Sequence, residues 1–359
     1  MSQNIQKIIG VIGGMGNEAM ADLAEKIAVE SGSSACPFVF FGNSRLAYKP
    51  DEVHTHWKPT DAPEIRKKQT ATYTCRLMQH FGCSTLGLAC NSAHELFRSV
   101  MRDVPVSFVD MLHATARSLR GTHSKVLVLG VTSLVESGLY QQALATENID
   151  SVSPSAANQQ QVMQAIYDTT FGIKTSTITQ EAEQLLCNVV TEECANHSVS
   201  AVVLGCTELP LVFTPKNCER FRREGLLPAH CSVIDASSVL AKQLLCNSPV
   251  CAPLSAPVET YRTSKTDWFA PATFTVTSPL EVALLQRQIM KQTQAFLRRS
   301  NRTVSGSYMH LPTLFLSEQL SDAHNKARSL GCHMYDESTD LTDFLERLFV
   351  MYFDGNMSR

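Results

Sequence analysis

Short apolar runs rich in β-branched residues alternate along the chain with segments whose apolar positions recur every three or four residues. Residues 7–12 form the first such run and end at Gly13 and Gly14, the pattern of a buried strand closing in a tight turn. Residues 18–30 then place Met20, Leu23, Ala24 and Ile27 at helical spacing. A second strand is predicted at 38–41, closed by Gly42, Asn43 and Ser44. Residues 48–63 are polar, carry three prolines and two histidines, and read as a long loop. A helix over 64–80 and strands at 85–89 and 106–109 follow. Strands that alternate with helices predict a parallel sheet covered on both faces.

The pattern then restarts. Lys125 to Thr132 echoes Lys7 to Gly14, and Ala201 to Glu208 echoes Thr85 to Ser92, with offsets of 118 and 116 residues. In both halves a strand ends in a small residue, then Cys, then Asn or Thr. Two buried strands can look alike by chance, but nearly equal offsets and matched chemistry point to two similar lobes. A strand at 233–235 and a helix at 236–245 follow, and a Ser/Pro-rich linker begins near Asn247. Ser278-Pro279-Leu280-Glu281 is a capping box that opens a helix to about residue 299. A last amphipathic helix is expected over 341–353.

The predicted architecture is α/β, with two pseudo-symmetric Rossmann-like lobes, each a mostly parallel sheet flanked by helices, and a C-terminal helical or mixed extension. The expected boundaries are 1–115 for the first lobe, completed by 215–247, then 116–214 for the second lobe and 248–359 for linker and extension. Deleting residues 265–359 is expected to alter solubility or assembly more than chemistry.

Composition narrows the function. With 359 residues, 44% hydrophobic and 18% charged, the chain can bury real cores without disulfide staples. A net charge of −3 offers no broad basic field for nucleic acid or acidic lipid. No apolar stretch approaches the roughly 20 residues of a membrane span. The N-terminus lacks a signal-peptide pattern, so a cytoplasmic protein with reduced thiols is expected. The twelve cysteines are scattered rather than framed.

Cys90 and Cys206 stand apart from the other ten, because each follows a predicted strand and precedes a predicted helix. Ligands of doubly wound sheets bind outside the carboxyl ends of strands. A helix start there favours anions and is expected to pull a thiol pKa down from about 8.5 towards neutrality. One thiol on each side of a cleft suits proton removal on one face of a carbon and delivery on the other. Asn91, Ser92 and Thr207 offer donors for a carboxylate, and are equally ordinary helix N-caps. Glu208 suits orienting a thiol or binding an ammonium group, or simply complements the helix dipole. His94 reads as an orienting or packing residue, since no second ligand pair for a metal stands nearby. Gly14 to Ala19 matches G-x-G-x-x-A, but the second strand lacks the terminal acid that a dinucleotide site needs. The turn instead suits close approach of backbone and Met15 to a small ligand, with Asn43 at the same edge.

Gly13-Gly14-Met15-Gly16, Cys90-Asn91-Ser92-Ala93-His94 and Gly205-Cys206-Thr207-Glu208-Leu209-Pro210 occur in an order and spacing that closely resembles the aspartate/glutamate racemase family, in its aspartate racemase branch. Gly138-Leu139-Tyr140, Ala165-Ile166-Tyr167-Asp168 and Val233-Ile234-Asp235 also match, over roughly residues 6–246. The resemblance implies a cofactor-independent racemase without metal, using Cys90 and Cys206 as opposed base and acid. It places carboxylate contacts on Asn91, Ser92 and Thr207, with Asn43 and Thr132 lining the cleft. Glu208 stands where the aspartate branch has Glu. L- and D-aspartate, or glutamate or a related amino acid, are the expected substrates, in a cytoplasmic homodimer with no nucleic-acid or membrane partner. Three positions depart from the pattern. Met20 replaces an expected threonine. Lys49 falls near the arginine that binds the substrate side chain, with Arg45 as a shifted candidate. Phe171 takes the place of a lysine, with Lys174 three residues later. These departures keep open a broader-specificity isomerase, or a racemase-fold protein with a binding or regulatory role.

Overall fold

The computed structural model describes residues 8–32, 36–47, 63–175, 177–246, 271–300 and 311–351. The expected loop at 48–63, apart from Pro63, and the last two residues of the expected final helix lie outside them. In chain order the strands are β1 (Ile9–Gly13), β2 (Phe38–Gly42), β3 (Thr85–Leu88), β4 (Ser107–Val109), β5 (Lys125–Leu129), β6 (Asp150–Val152), β7 (Ala201–Leu204), β8 (Ser232–Asp235), β9 (Ala272–Val276), β10 (Thr313–Ser317) and β11 (His333–Met334). The helices are α1 (Asn17–Ser31), α2 (Pro63–His80), α3 (His94–Met101), α4 (Met111–Leu119), α5 (Thr132–Ser137), α6 (Leu139–Ala145), α7 (Ala156–Tyr167), α8 (Gln180–His197), α9 (Leu209–Val212), α10 (Pro215–Arg223), α11 (Ala236–Cys246), α12 (Pro279–Arg299), α13 (Ser321–Ser329) and α14 (Leu341–Phe349).

Among the described residues these strands make two sheets. One has the order β11-β9-β10-β2-β1-β3-β4 and the other β6-β5-β7-β8. Within the first, β2-β1-β3-β4 repeats the order of the second, so β1 corresponds to β5 and β3 to β7. The two sequence echoes therefore fall on equivalent strands. β1, β3, β5 and β7 are buried on both faces, which explains their continuous apolar runs. All pairings are parallel except β10 with β2.

The chain divides into two compact units. One holds the described residues within Met1–Ala89, Leu96–Val109 and Leu244–Arg359, the other Cys90–Glu95 and Asp110–Gln243. This differs from the expected boundaries in two ways. The strand at 232–235 pairs with β7 in the second sheet, so residues 215–243 complete the second unit rather than the first. An apolar pattern shows that a strand exists but not which edge it joins. The C-terminal strands, in turn, do not stand apart: β10 runs antiparallel along β2, with Phe315 opposite Phe40. β9, β10 and β11 with α12 and α13 form a parallel βαβαβ unit that covers the β2 edge, while α12 packs on α1.

Local signals set several helix starts. Asp110 caps α4 by accepting hydrogen bonds from Leu112 N and His113 N at 3.0 and 3.1 Å. Ser278 caps α12 through Glu281 N at 3.3 Å, while Glu281 reaches back to Thr277 N at 2.7 Å. The box thus closes one residue earlier than its sequence pattern implies. Met20, the departure from the expected threonine, is fully buried, its sulfur filling the space beside Gly13 and Gly42. Packing explains this residue without a ligand.

An uncovered strand edge invites pairing with another chain. A chain ended at residue 264 loses β9, β10, β11 and α12, exposing the β2 edge and the α1 face. Sedimentation velocity is expected to show self-association or aggregation of that truncated chain. A monodisperse species would show that the C-terminal strands do not serve as a cover.

Candidate active site

The two cysteines singled out by sequence sit beyond the carboxyl ends of β3 and β7, and matching hydrogen bonds place them there. Ala89 N, just before Cys90, donates to Ile12 O of β1 at 2.9 Å; Gly205 N, just before Cys206, donates to Leu129 O of β5 at 2.6 Å. Gly205 has no room for a side chain, since a Cβ would stand 2.8 Å from Leu129 O and 3.2 Å from the Tyr140 ring. The last backbone step before each thiol is thus tied to the neighbouring central strand.

Cys90 to Glu95 belong to the same unit as Cys206, and several expected site residues come together there. The Tyr140 hydroxyl, fully buried, donates to Asn91 Oδ1 at 2.7 Å. This fixes the amide so that Asn91 Nδ2 is buried with no hydrogen-bond partner among the described residues. Cys90 Sγ lies 3.5 Å from Ser92 Oγ. The Cys206 thiol donates to Glu208 Oε2 at 2.9 Å, and Thr207 Oγ1 donates to the same oxygen at 3.4 Å. Lys174 Nζ pairs with Glu208 Oε1, and both side chains are almost wholly buried, at 8% and 4% exposure. Lys174 also lies 5.6 Å from the centre of the Tyr167 ring.

Lys174 reaches this point because Asp168 shapes the preceding turn. Its Oδ1 accepts from Thr170 N and Phe171 N at 2.7 and 3.2 Å, and a short 3-10 turn at Ile173–Thr175 follows. Lys174, three residues downstream of Phe171, thus reaches Glu208. Tyr140 and Lys174 are therefore the contacts to which sequence reasoning assigned no role. The first sits in a motif that matched the family, and a missing lysine with another nearby was the available signal for the second.

His94 is fully buried and both its ring nitrogens are engaged by backbone. Nδ1 donates to Cys90 O at 2.8 Å and lies 3.2 Å from Asn91 O, while Nε2 accepts from Met111 N at 3.1 Å. An N–H aimed at Nε2 requires its lone pair, so the ring is the neutral Nδ1–H tautomer. His94 ties the Cys90 turn to the start of α4, the orienting role among its sequence alternatives.

The remaining expected residues have partners of their own or lie outside these contacts. Thr132 opens α5, its Oγ1 accepting from Gln159 Nε2 at 3.2 Å. Asn43 is in the other unit; its Nδ2 donates to Thr74 Oγ1 at 2.9 Å. Gly14, at φ +102°, runs so close to Asn43 that a Cβ would stand 2.3 Å from its carbonyl carbon. Only glycine suits both that angle and that contact. Met15 is half-buried in the turn between β1 and α1. Lys49 lies outside the described residues.

Electrostatics correct one expectation. The helix starts do not pull the thiols towards neutrality. Burial pushes the Cys90 thiol above its ordinary pKa, against the lowering effects of Ser92 and the Ala93 backbone. Cys206 is raised further, by burial and then by the Glu208 charge, with Lys174 opposing. Desolvation of a thiolate outweighs the field of one short helix. Glu208 itself is held below the ordinary carboxylate range: burial raises it, but the Lys174 charge and hydrogen bonds from Cys206 and Lys174 prevail. The charges of Glu208 and Lys174 act on both thiols.

The sequence model of the Asp/Glu/hydantoin racemase family matches residues 9–244. The broad specificity amino-acid racemase RacX of Bacillus subtilis is 22% identical over 241 residues, covering 66% of this chain and 95% of that protein. Aspartate racemase of Picrophilus torridus has a similar structure, with a TM-score of 0.51 and 25% identity over 71% of this chain and 98% of its own. An aspartate racemase homologue from Pyrococcus horikoshii gives a TM-score of 0.53 at 19% identity, covering 67% of this chain and 97% of its own. Among the described residues no helix is long and apolar enough to cross a membrane. With the family match running from β1 into α11 and a thiol beyond each of two equivalent strands, this chain belongs to the Asp/Glu/hydantoin racemase family.

Proposed function

We propose that the protein racemises an amino acid without a cofactor, passing a proton between the substrate and the thiols of Cys90 and Cys206. The observation that carries this reading is a cysteine beyond the carboxyl end of each of two equivalent strands, β3 and β7, with the Lys174–Glu208 ion pair hydrogen-bonded to one of the two thiols. A carbanion-like state needs donors aimed at the substrate carboxylate, where negative charge develops. Asn91 Nδ2 is a buried donor held in place by Tyr140 and left unpartnered, which suits that task. Thr207 and Ser92 carry further hydroxyls, close to Cys206 and Cys90 respectively in the chain.

The raised thiol pKa values fit a weakly acidic carbon. A more basic thiolate removes an α-proton with greater driving force, at the cost of a smaller ionised fraction. The two thiols also differ. Cys206 is held as a hydrogen-bond donor to Glu208, whereas Cys90 has Ser92 and a helix-start N–H favouring its ionised form. Cys90 is therefore the readier base of the two and Cys206 the readier acid. Turnover exchanges these roles.

Aspartate is the first substrate to assay, given the aspartate racemase among the structural relatives. A second reading, a broader-specificity racemase, is favoured by one contact: Lys174 already balances the Glu208 charge and is not a spare cation for a substrate side chain. RacX, a broad specificity racemase, lies among the relatives. An enantiomer-resolved assay over acidic and neutral amino acids separates the two.

Three outcomes test the mechanism. Cys90→Ala and Cys206→Ala are each expected to lower racemisation by roughly 10²–10⁴-fold or more, the usual worth of a positioned acid or base. Cys→Ser variants in deuterium oxide should then exchange the α-proton of one enantiomer faster than the other. Full activity in either alanine variant rules out the two-thiol scheme.

Because the thiolate is the base and its pKa is raised, kcat/KM should keep rising with pH through the ordinary thiol range. Glu208→Gln removes a negative charge that opposes both thiolates, so the rising limb should move to lower pH. A limb that stays in place, or moves up, contradicts the role given to Glu208.

His94→Ala leaves Cys90 O and Met111 N without a partner, at a cost of about 1–3 kcal/mol in unfolding free energy. As a positioning residue it should lower kcat more than it changes KM. A urea titration together with initial-rate kinetics checks both.

A further inference from the structure

Ten cysteines lie outside the catalytic pair, and two of them are in contact. Cys194 is in the last turn of α8 and Cys231 directly precedes β8, 37 positions apart, with their sulfurs at 3.5 Å. Both are free thiols and both are buried, at 3% and 1% exposure. Each is anchored by its own element. Cys231 N donates to Pro228 O at 3.0 Å, and Arg222 Nη2 donates to Cys231 O at 3.0 Å. Next to Cys194, Glu193 is pinned by Ser155 N and Asn158 Nδ2, both at 2.7 Å. Neither backbone is loose, yet the sulfurs meet. A disulfide needs them about 2.05 Å apart, a closure of roughly 1.5 Å that small side-chain rotations can supply.

We propose that Cys194 and Cys231 are a disulfide-forming pair, oxidised by a small peroxide, that ties the end of α8 to the start of β8. The chemistry balances with hydrogen peroxide. The Cys194 thiolate attacks one peroxide oxygen, the O–O bond breaks, hydroxide leaves, and Cys194 becomes a sulfenic acid. The Cys231 thiolate then attacks that sulfur and displaces a second hydroxide. The two thiol protons convert both hydroxides to water, and two electrons pass from the sulfurs to the peroxide. The contact between the two sulfurs lowers the Cys194 pKa, and the same disulfide forms whichever of the two thiolates attacks the peroxide first. Both sulfurs are buried, so the smallest peroxide is the oxidant proposed.

The pair sits at the amino end of the sheet. β7 and β8 run parallel, from Ala201 and Ser232 towards Leu204 and Asp235, and Cys206 follows the far end of β7. The bond therefore braces the second unit at the end opposite its proposed catalytic thiols. It needs no part of the racemase reading to be correct.

The test uses the full chain, purified with reductant, desalted, and treated with hydrogen peroxide. Free thiols are blocked with N-ethylmaleimide, and the protein is digested with trypsin and Glu-C without reduction. Mass spectrometry should find a cross-linked peptide joining Cys194 to Cys231, located by fragmentation because Cys206 shares a peptide with Cys194. The link should vanish in Cys194→Ser and in Cys231→Ser. The oxidised protein should melt roughly 5–10 °C higher than the same sample after dithiothreitol, as expected for a typical disulfide. Absence of the link at a peroxide dose that oxidises other thiols overturns the proposal. So does a link from Cys231 to Cys218, or from Cys194 to Cys187. An unchanged melting temperature in a sample shown to be linked overturns the bracing role.

Discussion

Two opposite charges that have left water together, Lys174 and Glu208, hold the chain beyond the carboxyl end of β7 in one arrangement. Each needs the other, because removing one partner of a buried pair leaves an uncompensated charge at a cost of about 3–5 kcal/mol. Lys174 arrives on a turn shaped by Asp168, and Glu208 stands two residues beyond Cys206. The pair thus couples the chain after α7 to the chain after β7. It also acts on the thiols, which burial raises first. Glu208 receives the Cys206 thiol proton as a hydrogen bond, and the net field at Cys90 is the balance of the same two charges. Burial with a negative charge alongside favours the thiol over the thiolate at both cysteines.

The frame beneath the site is a repeated strand order. β2-β1-β3-β4 and β6-β5-β7-β8 place β3 and β7 beside the first strand of their sheets, and one backbone hydrogen bond to that neighbour precedes each cysteine. Symmetry stops at the edge of β2. There the first sheet continues into β10, β9 and β11, so a strand that is an edge in the repeat becomes interior. The antiparallel β10–β2 junction marks where the family architecture ends and the extension begins.

Legibility followed the range of each interaction. Cys90 and Cys206 were readable because a strand run, a small residue, a cysteine and a helix start are neighbours in sequence. The direction of their pKa shifts was not, because burial depends on chain segments far from either motif. Lys174 looked displaced because spacing was counted along the chain, whereas the Asp168 turn delivers it to Glu208. β9 and β10 went unread as strands. Residues 272–276 and 313–317 are short runs, and only their pairing with each other and with β2 gives them a sheet. Cys194 and Cys231 read as ordinary thiols for the same reason: nothing local connects a helix end to a strand start 37 positions away.

Periodicity and motif spacing are local properties of the chain, so the α/β class, the repeat, the strand-end setting of Cys90 and Cys206 and the family were all readable from the sequence. Tertiary structure decided which sheet the strand at 232–235 joins, that the C-terminal strands extend the first sheet, and that Lys174 meets Glu208. It also decided that both thiols are raised rather than lowered. Each of these depends on which distant surfaces exclude water from one another, a quantity that exists only once the chain has packed.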